Sequence, residues 1–273
     1  MIPISFEFFP PKTPQQHATL QRTQAQLSTL DPEFYSVTFG AGGSTRDHSV
    51  DAILALHEQG HQVAPHISCM GGSGEKISEL LSIYEEAGIS RLVALRGDRP
   101  SGMAAPGEFR YASDLVAFIR KHQSQPFHIE VACYPEFHPE SPSPRDELAQ
   151  FKHKVEQGAD SAITQYFYNA DAYAYFLDEC ERWNINIPIV PGIMPITNFV
   201  QLARFSDVCG AEIPRWLRRR LEHLQDDKES LRALGTEFVA KLCEDLVNLG
   251  APGLHFYTLN QAEPSRAVID LLS

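Results

Sequence analysis

Arg91-Leu92-Val93-Ala94-Leu95-Arg96-Gly97-Asp98-Arg99-Pro100 is an apolar, β-prone run that stops at a charged tripeptide, with a proline just beyond to bar continuation. A continuous apolar run suits a parallel strand covered on both faces. In barrels and doubly wound sheets the residues just past the C-terminal ends of such strands carry the chemistry. Asp98 therefore falls where a catalytic group is expected. Gly97 lets a ligand approach the backbone, Arg96 offers a cation to an anionic ligand, and Asp98 offers a carboxylate to a developing positive charge. A strand-to-loop turn with a surface ion pair fits the decapeptide equally well, so its neighbours have to decide.

The same unit recurs on both sides of it. Ser5–Phe9 is a short aromatic strand closed by Pro10 and Pro11, followed by a helical stretch from Pro14 to Leu30 with leucines at near-helical spacing. Phe34–Phe39 is a second strand, ending in Gly40-Ala-Gly-Gly43, after which Ser44 or Thr45 is expected to cap a helix through Gln59. Strands follow at Val63–Cys69, Arg91–Gly97, His128–Tyr134, Ser161–Phe167, Pro188–Ile193 and Gly253–Leu259, with helical stretches between them. Eight β/α units of about 25 to 40 residues, each strand running into a polar or glycine-rich loop, predict a (β/α)8 TIM barrel. An open doubly wound sheet would usually carry G-x-G-x-x-G after its first strand, and none occurs. The rhythm breaks between strands seven and eight, where Thr197 to Gly250 leaves room for two or three extra helices.

Length and charge narrow the function. The 273 residues, 43% hydrophobic, suit one barrel, and no linker divides them, so residues 1–273 are expected to form a single catalytic domain. The start of the chain has no basic-then-apolar leader, and no apolar run approaches the roughly 18 residues of a membrane span, so a cytoplasmic protein is expected. Five cysteines, an odd number with no C-x-x-C pair, argue for reduced, buried thiols rather than disulfides or a thiolate metal site. A formal charge of −12 disfavours nucleic acid or an anionic membrane as partner. The one basic cluster, Arg215 with Arg218, Arg219 and Arg220, reads as a solvated helix face.

On a barrel, Glu7, Thr38, His66, Arg96, Asp98, Tyr134, Gln165 and Tyr257 lie on strands or just beyond them and can converge on one mouth. Glu7 stands out. Flanked by Phe6, Phe8 and Phe9, its carboxyl should be desolvated, which suits it to act as a general acid; the plainer expectation is a buried Glu paired with a barrel Arg. His66, Glu136 and His138 show no H-x-H or H-E-x-x-H spacing, so no metal is expected, and no G-x-S-x-G elbow supports a serine nucleophile.

Several stretches, in order, resemble the motifs of the methylenetetrahydrofolate reductase family. They are Phe6-Glu-Phe-Phe-Pro-Pro-Lys12, Val37-Thr-Phe-Gly-Ala-Gly-Gly-Ser-Thr45, Pro65-His66, Leu95-Arg-Gly-Asp98, Tyr134-Pro-Glu-Phe-His-Pro139, Ile163-Thr-Gln-Tyr-Phe167, Pro191-Gly-Ile-Met-Pro195 and His255-Phe-Tyr-Thr-Leu-Asn260. The resemblance, running from Ser5 to Glu263, implies a flavoenzyme with non-covalent FAD. It passes a hydride from NADH or NADPH to 5,10-methylenetetrahydrofolate, gives 5-methyltetrahydrofolate and feeds methionine synthesis.

The resemblance makes Glu7 the acid that protonates N10 so that the imidazolidine ring opens to a 5-iminium cation. It makes Asp98 the carboxylate near flavin and pterin, where a charge about 4 Å from that cation is worth roughly 4 kcal/mol at an effective dielectric of 20. Gln165 is the amide that reads the folate ring, Phe205 an aromatic that packs on nicotinamide or folate, and Gln201 and Gln261 are further substrate contacts. Thr38, Phe39, His66, Arg96, Gly97, Asp98, Tyr111, Ala112, Tyr134, His138, Glu147, Gln150 and Lys154 fall at FAD-contacting positions. His138 and Lys154 are matched to the phosphates and Glu147 to the ribose.

At Gln261 the family usually has Arg, which removes a charged contact to the folate tail. The regulatory S-adenosylmethionine-binding domain of the longer eukaryotic members has no counterpart after the last helix, so no such feedback is expected. Expected partners are the folate, the nicotinamide dinucleotide and further copies of the chain in a homo-oligomer. Two rivals stand beside this reading. A proline-dehydrogenase-like FAD barrel would leave Glu7 and Gln165 without a task, and a non-catalytic folate-binding barrel would need no ionisable groups at its mouth.

Overall fold

A computed structural model of the chain describes residues 2–39, 43–69, 72–97 and 107–272, with residues 43–47 described by backbone only. Its strands are β1 (Ile4–Phe8), β2 (Phe34–Val37), β3 (Val63–Ser68), β4 (Arg91–Leu95), β5 (His128–Cys133), β6 (Ser161–Thr164), β7 (Ile189–Val190), β8 (Gly192–Ile193) and β9 (Leu254–Tyr257). All pair in parallel, in the order β7-β6-β5-β4-β3-β2-β1-β9-β8. The two ends of that order, β7 and β8, are consecutive in the chain, so the sheet curls into a nearly closed barrel that joins at Pro191.

The seventh strand, expected as one piece from Pro188 to Ile193, is thus split. Pro191 has no N–H for the ladder. The Gly192 N–H is donated to Thr164 Oγ1 at 2.9 Å, while the Thr164 carbonyl accepts the Tyr257 hydroxyl at 2.7 Å. Only glycine permits this crossing, because a Cβ at 192 would lie 2.3 Å from the Thr164 carbonyl oxygen and 2.5 Å from the Tyr257 ring.

Between strands run α1 (Pro14–Leu27), α2 (Gly43–Glu58), α3 (Gly74–Glu86), α4 (Ala112–His122), α5 (Pro144–Glu156) and α6 (Ala170–Arg182). Thr13, Ser73, Ser143 and Asn169 cap four of them by accepting backbone N–H groups, satisfying donors that a helix start otherwise leaves orphaned. Helix α2 begins at Gly43, ahead of the cap expected at Ser44 or Thr45. Between β8 and β9 lie three helices, α7 (Phe199–Cys209), α8 (Arg215–His223) and α9 (Lys228–Asn248), and α10 (Ala262–Asp270) closes the chain. Helix α8 buries Leu217 and Leu221 and leaves Arg218 in an exposed ion pair with Asp207, 3.5 Å away, as a solvated basic face should.

Side chains alternate across each strand. Phe6 and Phe8 point outward and pack with Tyr35 and Phe256 beneath the helices. The inward face holds an apolar belt of Phe34, Ala64, Val93 and Ile163, but also buried Ser5, Ser36, His66, Glu130 and His255. Glu130, 2% exposed, accepts from Arg91 Nη1 at 2.8 Å, and Arg91 also reaches Glu33 at 2.6 Å. Burial pushes the Glu130 carboxyl up, opposed by Arg91. Cys69, Cys133, Cys180 and Cys243 are buried free thiols and Cys209 is half-buried. Among the described residues no helix is long and apolar enough to cross a membrane.

Candidate active site

A cavity of about 1390 Å³ covers the C-terminal ends of the strands. That exceeds the roughly 300–1,000 Å³ of an ordinary small-molecule pocket, so there is room for a dinucleotide together with a second reactant. Towards α3, α4 and α5 its wall is charged or polar, with Lys76, Arg110, Asp146, Glu147, Gln150 and Lys154; towards α7 and β9 it is mostly apolar, with Phe9, Met194, Phe205, Val208 and Leu259 beside Arg204.

Glu7 sits at the cavity floor, 15% exposed, with Oε2 3.5 Å from His66 Nε2 and 3.9 Å from His255 Nε2. Among the described residues its partners are two imidazoles, not the arginine that the plainer expectation required. The reason is the inward parity of β1: Ser5 and Glu7 share a face, and the registers of β2, β3 and β9 bring Ser36, His66 and His255 onto it. Burial pushes His66 down to about 4, against the pull of Glu7, so its ring is neutral at pH 7. Its Nε2 has no hydrogen-bond partner, and the residue lines the cavity. His255 is fully buried, with Nδ1 2.7 Å from Ser5 Oγ and Nε2 3.4 Å from Ser36 Oγ, so two strands hold the ring in place. The Thr258 hydroxyl donates to the Glu7 carbonyl at 2.6 Å and fixes the strand end.

At the charged wall Lys154 is 9% exposed and donates Nζ to the Ala132 carbonyl at 2.5 Å. Burial pushes its ammonium down and nearby Glu147 opposes the shift. Glu147, itself buried, accepts from the Ser141 hydroxyl. Arg96 reaches Glu140 at 2.6 Å across the mouth, and Tyr134 meets the His138 ring edge-on with centroids 4.8 Å apart. Asp114 accepts the N–H groups of Arg110 and Tyr111 at 2.9 Å and thereby shapes the start of α4. An imidazole nitrogen free of any hydrogen bond, a buried ammonium and flanking guanidinium groups form a donor set suited to a phosphate-bearing, ring-containing cofactor.

Residues 1–273, the whole chain, match the family model described as methylenetetrahydrofolate reductase. The chain belongs to the methylenetetrahydrofolate reductase family. It is 39% identical over 272 residues to the 5,10-methylenetetrahydrofolate reductase of Escherichia coli (strain K12), covering 99% of this chain and 90% of that one. The Pectobacterium carotovorum enzyme of the same name matches to the same extent. Methylenetetrahydrofolate reductase (NADH) 1 of Arabidopsis thaliana is 38% identical over 94% of this chain but only 46% of its own length. Likeness over 99% of this chain and 90% of the bacterial enzymes carries methylenetetrahydrofolate reductase activity and a folate substrate to this chain.

Solved structures agree on the barrel. A Clostridium thermocellum protein described as binding two copies of 5-methyl-5,6,7,8-tetrahydrofolic acid superposes with TM-score 0.67 at 18% identity, covering 99% of this chain and 93% of its own. A Xanthomonas albilineans dihydropteroate synthase superposes with TM-score 0.52 at 14% identity, over 99% of this chain and 90% of its own.

In this reductase the cavity gathers Glu7, Thr38, Phe39, His66, Arg96, Gly97, Tyr111, Ala112, Tyr134, His138, Glu147, Gln150, Lys154, Gln165 and Phe205. Asp98 lies outside the described residues. Two expected substrate contacts are not among the lining residues: Gln201 and Gln261 are both exposed. Gln201 sits in the first turn of α7 with its N–H on Asn198, and Gln261 precedes α10, where the Asn260 side chain ties the loop to the backbone of Phe9. The wall also takes in Lys76, Arg110 and Arg204, which the motifs did not single out. Lys76 and Arg204 are aimed at the cavity by the phase of α3 and α7, and Arg110 by the loop that enters α4, none of which is marked by a local motif.

Proposed function

We propose that this reductase works through non-covalently bound FAD, with NADH or NADPH as reductant and 5,10-methylenetetrahydrofolate as acceptor, in a ping-pong cycle on one barrel domain spanning residues 1–273. FAD, when bound, supplies a two-electron carrier that accepts hydride from nicotinamide and returns it to the folate. The observation that carries the reading is the floor of the cavity, where Glu7 faces neutral His66 and buried His255 beneath a space large enough for two reactants.

Glu7 is the general acid: it protonates N10 of the folate, and ring opening leaves the 5-iminium cation that accepts hydride. Asp98 supplies the negative charge opposite that cation. Gln165 reads the pterin; its Oε1 accepts the Tyr166 N–H at 3.0 Å, which turns the amide NH2 towards a ligand acceptor. Phe205 forms the apolar wall for nicotinamide and folate in turn.

The FAD contacts are those at the charged wall and strand ends. Lys154, Arg96 and His138 face the phosphates, Glu147 and Gln150 the ribose side, and Thr38, Phe39, His66, Gly97, Tyr111, Ala112 and Tyr134 the remainder. The test is colour. The purified protein should be yellow, lose its flavin band anaerobically with NADH or NADPH, and regain it with methylenetetrahydrofolate. A colourless protein that cannot be reconstituted with FAD refutes the reading, and a flavoprotein indifferent to folate returns the proline-dehydrogenase-like alternative.

A further inference from the structure

The loop after β5 and the end of α7 form two walls of the same cavity, Tyr134 and His138 on one, Phe205 and Val208 on the other. They are joined behind it. Glu136 Oε2 accepts the backbone N–H of Glu212, just past α7, at 2.8 Å. Gly210 ends α7 at φ +77, donating its N–H to the Ser206 carbonyl at 2.9 Å, and a Cβ there would stand 2.8 Å from Pro139 Cγ. Buried Ser206 adds a contact to the Tyr166 hydroxyl at 3.1 Å. The last turn of α7 is therefore held at three points, and the carboxyl of Glu136 supplies the one polar bond between the two walls among these.

We propose that Glu136 is a positioning residue, whose carboxyl seats the end of α7 so that Phe205 and Val208 stand as the apolar wall against which the folate binds. The inference rests on the function proposed above. Burial, with the nearby carboxylate of Glu212, pushes the Glu136 carboxyl up to about 7 against the pull of the Glu212 N–H, and Tyr166 and Cys209 line the same small recess. A carboxyl oxygen accepts that N–H in either protonation state, so a glutamine amide should replace it and an alanine should not.

The experiment compares Glu136→Ala and Glu136→Gln in the full-length holoenzyme. It follows amide hydrogen exchange at Glu212, flavin content, and KM against kcat for methylenetetrahydrofolate. In Glu136→Ala the Glu212 amide should exchange about tenfold faster and the folate KM rise about five- to tenfold, with flavin content retained and kcat within about twofold. Glu136→Gln should keep both protection and KM.

A parental folate KM in Glu136→Ala, an amide that stays protected there, or a Gln variant as impaired as the Ala variant overturns the proposal. Should Glu136→Ala fail to fold, Gly210→Ala strains the same junction from the other side with Glu136 intact. It should raise the folate KM likewise, and a folded Gly210→Ala enzyme with parental KM overturns the proposal as well. A wild-type protein inactive on folate in the same assay defeats the functional reading instead, and Glu212 exchange then judges the contact alone.

Discussion

Replacing Glu7 by Gln keeps the size of the side chain and one carbonyl oxygen but removes the proton it could hand over. The structural cost should be small. His66, 3.5 Å away, is neutral at pH 7 because burial pushes it down to about 4, so the contact is not an ion pair and there is little Coulomb energy to lose. Stability should change by no more than about 1 kcal/mol, a Tm shift of about 2–4 °C for a chain of this size. The catalytic cost should be large and one-sided. A positioned general acid is worth about 10²–10⁴-fold, which at 1.36 kcal/mol per decade is about 2.7–5.4 kcal/mol of barrier. Only opening of the folate ring needs that proton; hydride transfer out of nicotinamide needs none from the protein. Anaerobic stopped-flow should show flavin reduction by NADH or NADPH within about twofold of wild type, and reoxidation by methylenetetrahydrofolate slowed at least about 100-fold. Equal slowing of both halves would falsify the acid role, and a Tm loss beyond about 8 °C would show that Glu7 holds the barrel together instead.

Two further outcomes follow from buried charges. Lys154→Met removes a buried ammonium at the charged wall and should weaken FAD retention about 10- to 100-fold, the worth of one charge-assisted hydrogen bond; flavin fluorescence in the ultrafiltrate reads this directly, and unchanged retention takes Lys154 out of the cofactor site. Arg91→Met strips Glu130 of its hydrogen-bond donor and should cost about 3–5 kcal/mol at pH 8, partly recovered by adding Glu130→Gln. The sign with pH follows from the raised carboxyl: the folded protein holds the Glu130 proton more tightly than the unfolded chain, and losing Arg91 strengthens that preference. The deficit in urea unfolding should therefore grow as pH rises above the ordinary carboxyl range, and a deficit equal at pH 5 and pH 8 speaks against it.

The barrel was legible because its signals are local. Each strand is a short apolar run halted by glycine, proline or charge, and repetition of that unit implies parallel strands whose C-terminal ends share one rim. The flanking phenylalanines marked Glu7 as a shielded carboxyl, while the strand register shows that it shares the inward face with Ser5 and not with Phe6 and Phe8. The motif residues at strand ends reached the cavity for the same reason: a strand end has one place to go in a closed barrel.

What lay beyond the sequence depended on closure and on helix phase. His255 finds Ser5 and Ser36 across 250 and 219 positions of chain, contacts that exist only once β9 closes against β1. Among the described residues the partners of Glu7 are imidazoles in place of the expected arginine and come from the same register, while Arg91 of β4 pairs with Glu130. Gln201 and Gln261 are not among the cavity-lining residues because both sit where helices begin, and a side chain there points according to the path of the entering loop. Asn260 pins one such loop to Phe9 and leaves Gln261 facing solvent, whereas helical phase turns Arg204 and Phe205 of α7 into the cavity wall. Residue type and spacing determine which side of a strand a group occupies; which groups then meet across the barrel is decided by the distances that closure imposes.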